Sequence, residues 1–389
     1  MSDARILHET AVSRRLDALL VISSATLVAG FFIAPDRVAD SLLIAAYAVL
    51  TVFLGGLVFL SLHYVSGARW SEPVIRVYVA LAAHLWLGSL AVLAVIVFRR
   101  DAYAWLPPGG EHAGTFWFKA AWLDSTAFVV RAAIYVGIWS LLAVAMVRNL
   151  RAKNSLDGSS RNHKLSAITL LLFAPTFTLA ASDWFMALEP MWFSTVWGAY
   201  HFAGLATSTL AVVVLAATQL RRSGLWHAAF TDDHLHDLGK LLLGFSCFWM
   251  YLWFCQYMLI WYSNIPEETA YFVRRTQGAW GPLMMANVVL NWVAPFLALL
   301  PRPAKRSATT MTRVAAIVLL GRWLDLYLMV YPSRAETPQW GAWEAAGIVL
   351  ALSAAARLIE STLIKATPTA VGEATSPGAT GRGSHAAML

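Results

Sequence analysis

The sequence predicts an all-α integral membrane protein of about ten transmembrane helices, and three observations carry that expectation. Apolar residues make up 59% of the 389 residues and charged residues 13%, with a mean hydropathy of +0.60; a water-soluble domain of this size does not have such a composition. Apolar runs of roughly 20 residues, the length that spans a bilayer as a helix, recur along the whole chain. Lys and Arg are segregated into alternate connections, as in multi-pass proteins.

The runs are taken in order. The first, 16–34, follows Arg14 and Arg15 and has no small-residue cleavage site, so it reads as a span rather than a signal peptide. The second and third are 42–65 and 74–98. The connection from Arg99 to Ser125 opens with Pro107, Pro108, Gly109 and Gly110, then turns aromatic at Phe116, Trp117, Phe118 and Trp122. Its second half is expected to lie along the interface. The fourth, fifth and sixth runs are 126–147, 165–183 and 195–220. The stretch 221–239 carries His227, Asp232, Asp233, His234, His236 and Asp237 and reads as a solvated connector. The seventh, 241–262, is dense in aromatics and runs straight into Asn264, Ile265, Pro266, Glu267 and Glu268. Carboxylates at that depth suggest protons or a protein partner. The eighth, 282–300, sets Asn287, Asn291 and Pro295 four apart, and the proline frees a backbone carbonyl for hydrogen bonding. The ninth is 313–331 and the tenth 340–364. Residues 1–365 form one membrane domain, and 366–389, rich in Gly, Ala, Thr, Ser and Pro, are expected to be a disordered cytoplasmic tail.

An even number of spans puts both termini on one side. Of the 29 Lys and Arg residues, twenty fall on that side, two lie inside spans, and only Arg37, Arg99, Arg100, Lys119, Arg274, Arg275 and Arg334 fall opposite. Both termini are therefore expected in the cytoplasm. The formal charge of +7 is this topology signal and gives no support to nucleic-acid binding. Cys247 and Cys255, both in the seventh run, suit neither a disulfide nor a CxxC site, and no zinc or iron–sulfur ligand set is present.

Ionisable residues inside the spans matter most, because a central Arg or Asp costs roughly 2.5–3.5 kcal/mol on insertion scales unless it finds a partner or water. Asp124, Phe128, Arg131 and Tyr135 follow i, i+4, i+7, i+11 and share one helical face. Arg322 and Asp325 stand three apart. Single imidazoles occur at His84 and at His201, the latter in line with Gly198, Gly204 and Ser208. These groups either glue helices together, at about 1 kcal/mol each, or serve a quinone head group or a proton wire. A quinol site needs a base, a donor and an apolar slot, and His84, Asp124, Arg131 and Tyr135 are residue types it would use. The span histidines, His63, His84 and His201, form no repeated pair across two helices, so neither haem nor metal is expected.

Four segments add a resemblance: KAAWLDSTAFVVRAAIYVGIW (from Lys119), DWFMALEPMWFSTVWGAYHFAG (from Asp183), LGFSCFWMYLWFCQYMLIWYSNIPEETAYF (from Leu243) and GRWLDLYLMVYP (from Gly321). Together the chain resembles the NrfD-like, polysulfide-reductase-type membrane subunits, and most nearly the ActF-type second quinone-binding subunit of alternative complex III, a quinol:cytochrome c oxidoreductase. The resemblance implies two four-helix bundles, spans two to five and six to nine, with spans one and ten peripheral. It implies a bacterial inner membrane, a homologous NrfD-like membrane subunit alongside, and extracytoplasmic iron–sulfur and c-type cytochrome subunits. It further implies menaquinone or ubiquinone as the redox partner and no catalysis by this chain alone. Arg131 and Tyr135, Asp183 and Glu189, Glu267 and Glu268, and Arg322 with Asp325 match the family's blocks. The family commonly has Asn where Asp124 stands and His where Met191 stands. On this reading the expected proton path comprises His201, Arg322 and Asp325 inside the second bundle, with Asp183, Glu189, Glu267 and Glu268 at its outer mouth. A membrane subunit of a molybdopterin-linked reductase shares the implied fold, and a secondary transporter is the alternative from another class.

Overall fold

A computed structural model describes residues 2–68, 70–99, 122, 124–152, 160–189, 192–223 and 230–366. The described residues are helices and their connections, with no strand among them. Ten helices are long and apolar enough to cross a membrane: α1 (Ser13–Ile33), α2 (Pro35–Ser66), α3 (Glu72–Phe98), α4 (Ser125–Arg151), α5 (Ser160–Leu188), α6 (Trp197–Arg222), α7 (Asp232–Ser263), α8 (Gly278–Leu299), α9 (Ala308–Ser333) and α10 (Ala342–Leu363). The chain is a multi-pass membrane protein. The expected tail, 366–389, and the aromatic stretch Phe116–Phe118 lie outside the described residues, apart from Ala366 at the last helix end.

Helices α2, α3, α4 and α5 pack in a ring, and α6, α7, α8 and α9 form a second ring. The two bundles join where α2 meets α6, while α1 pairs with α10 and α10 lies against α2. The centre consists of α2, α6 and α9, each more than three-quarters buried, against 17% for α1. Close approach of α2 and α6 depends on Gly55, where a Cβ would overlap the Thr209 side chain.

Several helix limits differ from the apolar runs because polar caps extend them. Helix α7 begins at Asp232, where Thr231 and His234 form a reciprocal cap: the Thr231 N–H reaches His234 Nδ1 at 3.1 Å. His234, His236 and Asp237 are therefore helical rather than part of a connector, while His227 lies outside the described residues. Two spans are interrupted. In α3 the helix breaks at His84 (φ −103°, ψ 4°). In α8 a π-helical turn, Val289–Val293, precedes Pro295. Pro295 has no N–H for the carbonyl four residues back, that of Asn291, and this oxygen accepts from Ser246 Oγ on α7.

Candidate functional site

The densest buried polar cluster lies in the second bundle, where α9 presents Asp325 to three neighbouring helices. Asp325 is 2% exposed and Arg322, one turn earlier, 3%. Arg322 Nη1 donates to Asp325 Oδ2 at 2.5 Å, and Trp249 Nε1 of α7 reaches the same oxygen at 3.3 Å. Oδ1 accepts from Tyr200 OH of α6 at 2.5 Å and from Asn287 Nδ2 of α8 at 3.1 Å. Four donors satisfy the buried carboxyl group, as its removal from water requires. Asn291 orients the Asn287 amide by donating to its Oδ1 at 2.7 Å. The π-helical turn thus places the donor that Asp325 uses.

The guanidinium is less well served. Arg322 Nε and Nη2 have no protein partner, and neither has Nε2 of His201, which is 0% exposed. Arg322 lies over Gly204, one turn from His201 on α6; a Cβ at 204 would overlap the guanidinium. His201 Nδ1 is bonded to Tyr47 OH of α2 at 2.7 Å, which links the cluster to the first bundle. Buried donors left without protein partners are characteristic of sites filled by internal water.

Beside Asp325 and Asn287 lies a small cavity of about 10 Å³, also lined by Tyr200, Gln256, Tyr271 and Arg275. That is about the room of one water molecule and excludes a quinone ring. Tyr271 also lines a second cavity of about 570 Å³ at the end of the bundle opposite the termini, with Glu189, Trp192, Pro266, Glu267 and Arg274. That volume is ordinary for a small-molecule site. Tyr271 is thus common to the walls of both cavities. It stacks on Trp192 with ring centroids 4.1 Å apart, and the Arg275 guanidinium lies 3.6 Å over its other side. Burial pushes the Tyr271 hydroxyl up to about 12, with Arg275 pulling the other way.

The short helix Pro266–Thr276 holds this region together. Its Tyr271, Phe272 and Arg275 share the buried face, a one-turn spacing. Arg275 is 0% exposed; it donates to Glu189 Oε1 at 2.9 Å and to the carbonyls of Leu328 at 2.8 Å, Tyr271 at 3.0 Å and Met329 at 3.3 Å. Arg274 donates to Glu189 Oε2 at 2.9 Å. Glu267 is exposed and lines the large cavity, whereas Glu268 is half-buried and outside its wall.

In the first bundle the cluster centres on Asp183. Arg131 Nε donates to its Oδ2 at 3.0 Å, Tyr135 OH to the same oxygen at 3.1 Å, and Trp122 Nε1 to Oδ1 at 2.8 Å. The Arg131 guanidinium also lies 4.2 Å over the Trp122 ring. Asp183 therefore joins Arg131 and Tyr135, not the outer mouth of the second bundle. Asp124 does not join them. It is exposed and caps α4, its Oδ2 accepting from the Thr126 and Ala127 N–H groups at 3.1 Å. His84 is elsewhere again, its Nε2 bonded to Thr362 Oγ1 of α10 at 2.7 Å. His84, Asp124, Arg131 and Tyr135 thus do not form one head-group site.

Sequence reasoning passed over Tyr47, Tyr200, Trp249, Tyr271 and Arg275. The spacing of Tyr271, Phe272 and Arg275 was the available signal for the last. Among the described residues no group of three or more His, Cys, Asp or Glu is placed to hold a metal ion. No family model matches this chain, and no curated protein matches it.

Proposed function

We propose that the protein is a membrane subunit of a quinol-oxidising respiratory complex of the alternative complex III type, and that its second bundle handles protons at the extracytoplasmic surface. On this reading both termini are cytoplasmic, the membrane is the bacterial inner membrane, and the large cavity opens to the outside. A homologous membrane subunit lies alongside, and iron–sulfur and c-type cytochrome subunits sit above the cavity.

One observation supports the reading above the others: the saturated Asp325 carboxylate adjoins a water-sized cavity that shares the Tyr271 wall with a 570 Å³ cavity carrying Glu189 and Glu267. The segments that carry the family resemblance contain Asp183, Glu189, His201, Glu267, Arg322 and Asp325, so most of these polar groups fall in the resembling blocks. The large cavity fits a quinone head group. It offers carboxylates at Glu189 and Glu267, a cation at Arg274, the flat Trp192–Tyr271 stack, and apolar Leu188, Pro266 and Ala270. A bound quinol supplies two electrons and two protons on oxidation. Among the described residues Glu267 has no ion-pair partner, and it is the carboxylate at the mouth open to accept a proton. Glu189, held by two guanidinium groups, positions Arg274 and Arg275. Tyr271, with its hydroxyl proton retained below about pH 12, acts as a neutral hydrogen-bonding partition.

The test is isolation of the tagged chain from its native membrane in mild detergent. Co-purification of haem and iron–sulfur subunits, with quinol-dependent reduction of cytochrome c, is expected. A single colourless polypeptide, or a co-purified molybdopterin subunit, would overturn the assignment.

A further inference from the structure

A third cavity at the same end of the molecule, on the other side of Ser333 from the 570 Å³ cavity, has its own charge pattern. It measures about 550 Å³ and lies where α1 gives way to α2, beside the ends of α3 and α9 and the start of α10. Its position is interfacial: Asp36 and Arg37 follow the last residues of α1, Arg99 follows Phe98, and Arg334 follows Ser333. Phe32, Phe98 and Trp340, all more than half exposed, mark the apolar layer beside it.

The charges of the floor and the rim differ. At the floor the buried Asp40 carboxylate faces two guanidinium groups, Arg99 Nη2 at 3.2 Å and Arg334 Nε at 4.0 Å. Arg37 is neutralised separately by Glu344, through contacts of 3.0 and 2.8 Å. Arg99 is shared between Asp40 and Asp36, so the positive charge of the floor is concentrated at Arg334. Arg334 is its least committed member, because Asp40 is its only ion-pair partner among the described residues and stands at the limit of contact. At the rim, Asp36 has a side chain 83% exposed, touching Arg99 and otherwise open to solvent. A cationic floor and an anionic rim, beside lipid-facing aromatics at the membrane boundary, complement a zwitterion with its phosphate inward and its ammonium outward.

The geometry points to this cavity as a binding site for an amine-bearing phospholipid head group. The phosphate is held by Arg334 and Arg99, the ammonium by Asp36, and the acyl chains run along Phe98 and Phe32. Arginine suits the phosphate because its planar fork makes paired hydrogen bonds to two oxygens. A primary ammonium is preferred over a quaternary one because it donates hydrogen bonds to Asp36. The proposal does not depend on quinol oxidation, and its test leaves that reading untouched.

The test uses the full-length protein in detergent, titrated separately with short-chain phosphatidylethanolamine, phosphatidylcholine, phosphatidylglycerol and inorganic phosphate, with melting temperature and native mass spectrometry as readouts. Phosphatidylethanolamine is expected to be retained and to raise the melting temperature at about tenfold lower concentration than the other three. Arg334→Gln is expected to weaken it about tenfold, and Asp36→Asn to remove the preference over phosphatidylglycerol. Asp36 is exposed, so the second variant tests the site even if the first fails to fold. Equal effects of inorganic phosphate and phosphatidylethanolamine would identify a free-anion site and overturn the lipid assignment. So would no binding at all, or a preference unchanged in Asp36→Asn.

Discussion

Replacing Asp325 with Asn removes one charge from a buried pair while keeping the side-chain volume. The Asn oxygen can still accept from Tyr200 and Asn287, but its amide would face Arg322 Nη1, a donor against a donor, where the carboxylate now accepts at 2.5 Å. Arg322 already has two nitrogens without protein partners, so the variant leaves a cation 3% exposed with no counter-charge. Removing one member of such a pair costs about 3–5 kcal/mol, which at about 1.4 kcal/mol per decade is two to three and a half decades in the folding equilibrium. The double variant Arg322→Gln/Asp325→Asn restores a neutral, hydrogen-bonded pair and is expected to regain most of that loss, because desolvation of both charges is avoided. Thermal unfolding of the purified full-length protein, followed by tryptophan fluorescence, measures both. Proton release on quinol oxidation by the assembled complex, measured for the folded double variant, separates stability from proton handling and should fall. Asp325→Asn as stable as the wild type would refute the charge-pair argument. A stable double variant with unchanged proton release would refute the relay.

Three further outcomes follow from the same geometry. Arg275→Lys keeps the charge but loses the fork that serves Glu189 and three carbonyls, so a destabilisation of about 2–4 kcal/mol is expected by denaturant titration. Gly204→Ala forces the Arg322 guanidinium aside, at about 1–3 kcal/mol of overpacking, and should lower the melting temperature while the control Gly137→Ala, whose Cβ meets open space, does not. Tyr271 is raised in the folded state to about 12 from about 10 in the unfolded chain. The unfolded state therefore loses its proton first, and the contribution is complete below pH ~10 and lost as pH rises towards ~12. Tyr271→Phe should remove about 2–3 kcal/mol of that alkaline slope, read from melting temperatures across the range.

The fold was legible in the sequence because hydropathy over a 20-residue window reports the property that makes a segment cross a bilayer. The Arg322–Asp325 pair was legible for a related reason: two charges three residues apart in an apolar run must meet each other or water. Other parts of the site were hidden by the way residues are classed. Tyr200, Trp249 and Tyr47 count among the apolar residues of the composition, yet each supplies a polar atom to the cluster. Arg275 was read as a basic loop residue because an 11-residue amphipathic helix is too short to register as a span. Asp124 illustrates the opposite error. Its spacing continues the Arg131–Tyr135 face only if the helix extends that far, but α4 starts at Ser125 and the carboxylate turns back to cap it. Periodicity assigns a face within a helix and says nothing about where the helix begins.

The second bundle is also asymmetric along its length, and this bears on what its polar cluster can do. Towards the terminus side of Arg322 the interior is closed by Leu210, Val214, Leu242, Leu299, Met311, Val314 and Val318, each no more than 2% exposed. In that half Thr207, Ser208, Thr218 and Thr312 donate to carbonyls of their own helices, and the one contact between them, Thr312 Oγ1 to Thr218 Oγ1 at 3.4 Å, does not extend into a continuous chain among the described residues. Towards the other end, Asp325 lines a small cavity that shares the Tyr271 wall with the 570 Å³ cavity. A proton leaving the Asp325 region therefore meets an apolar plug in one direction and the shared Tyr271 wall in the other. Placed in the proposed orientation, that arrangement favours exchange with the extracytoplasmic side alone. Protons handled by the Asp325 region during quinol oxidation would then be deposited outside and add to the membrane potential, without crossing the chain to the terminus side.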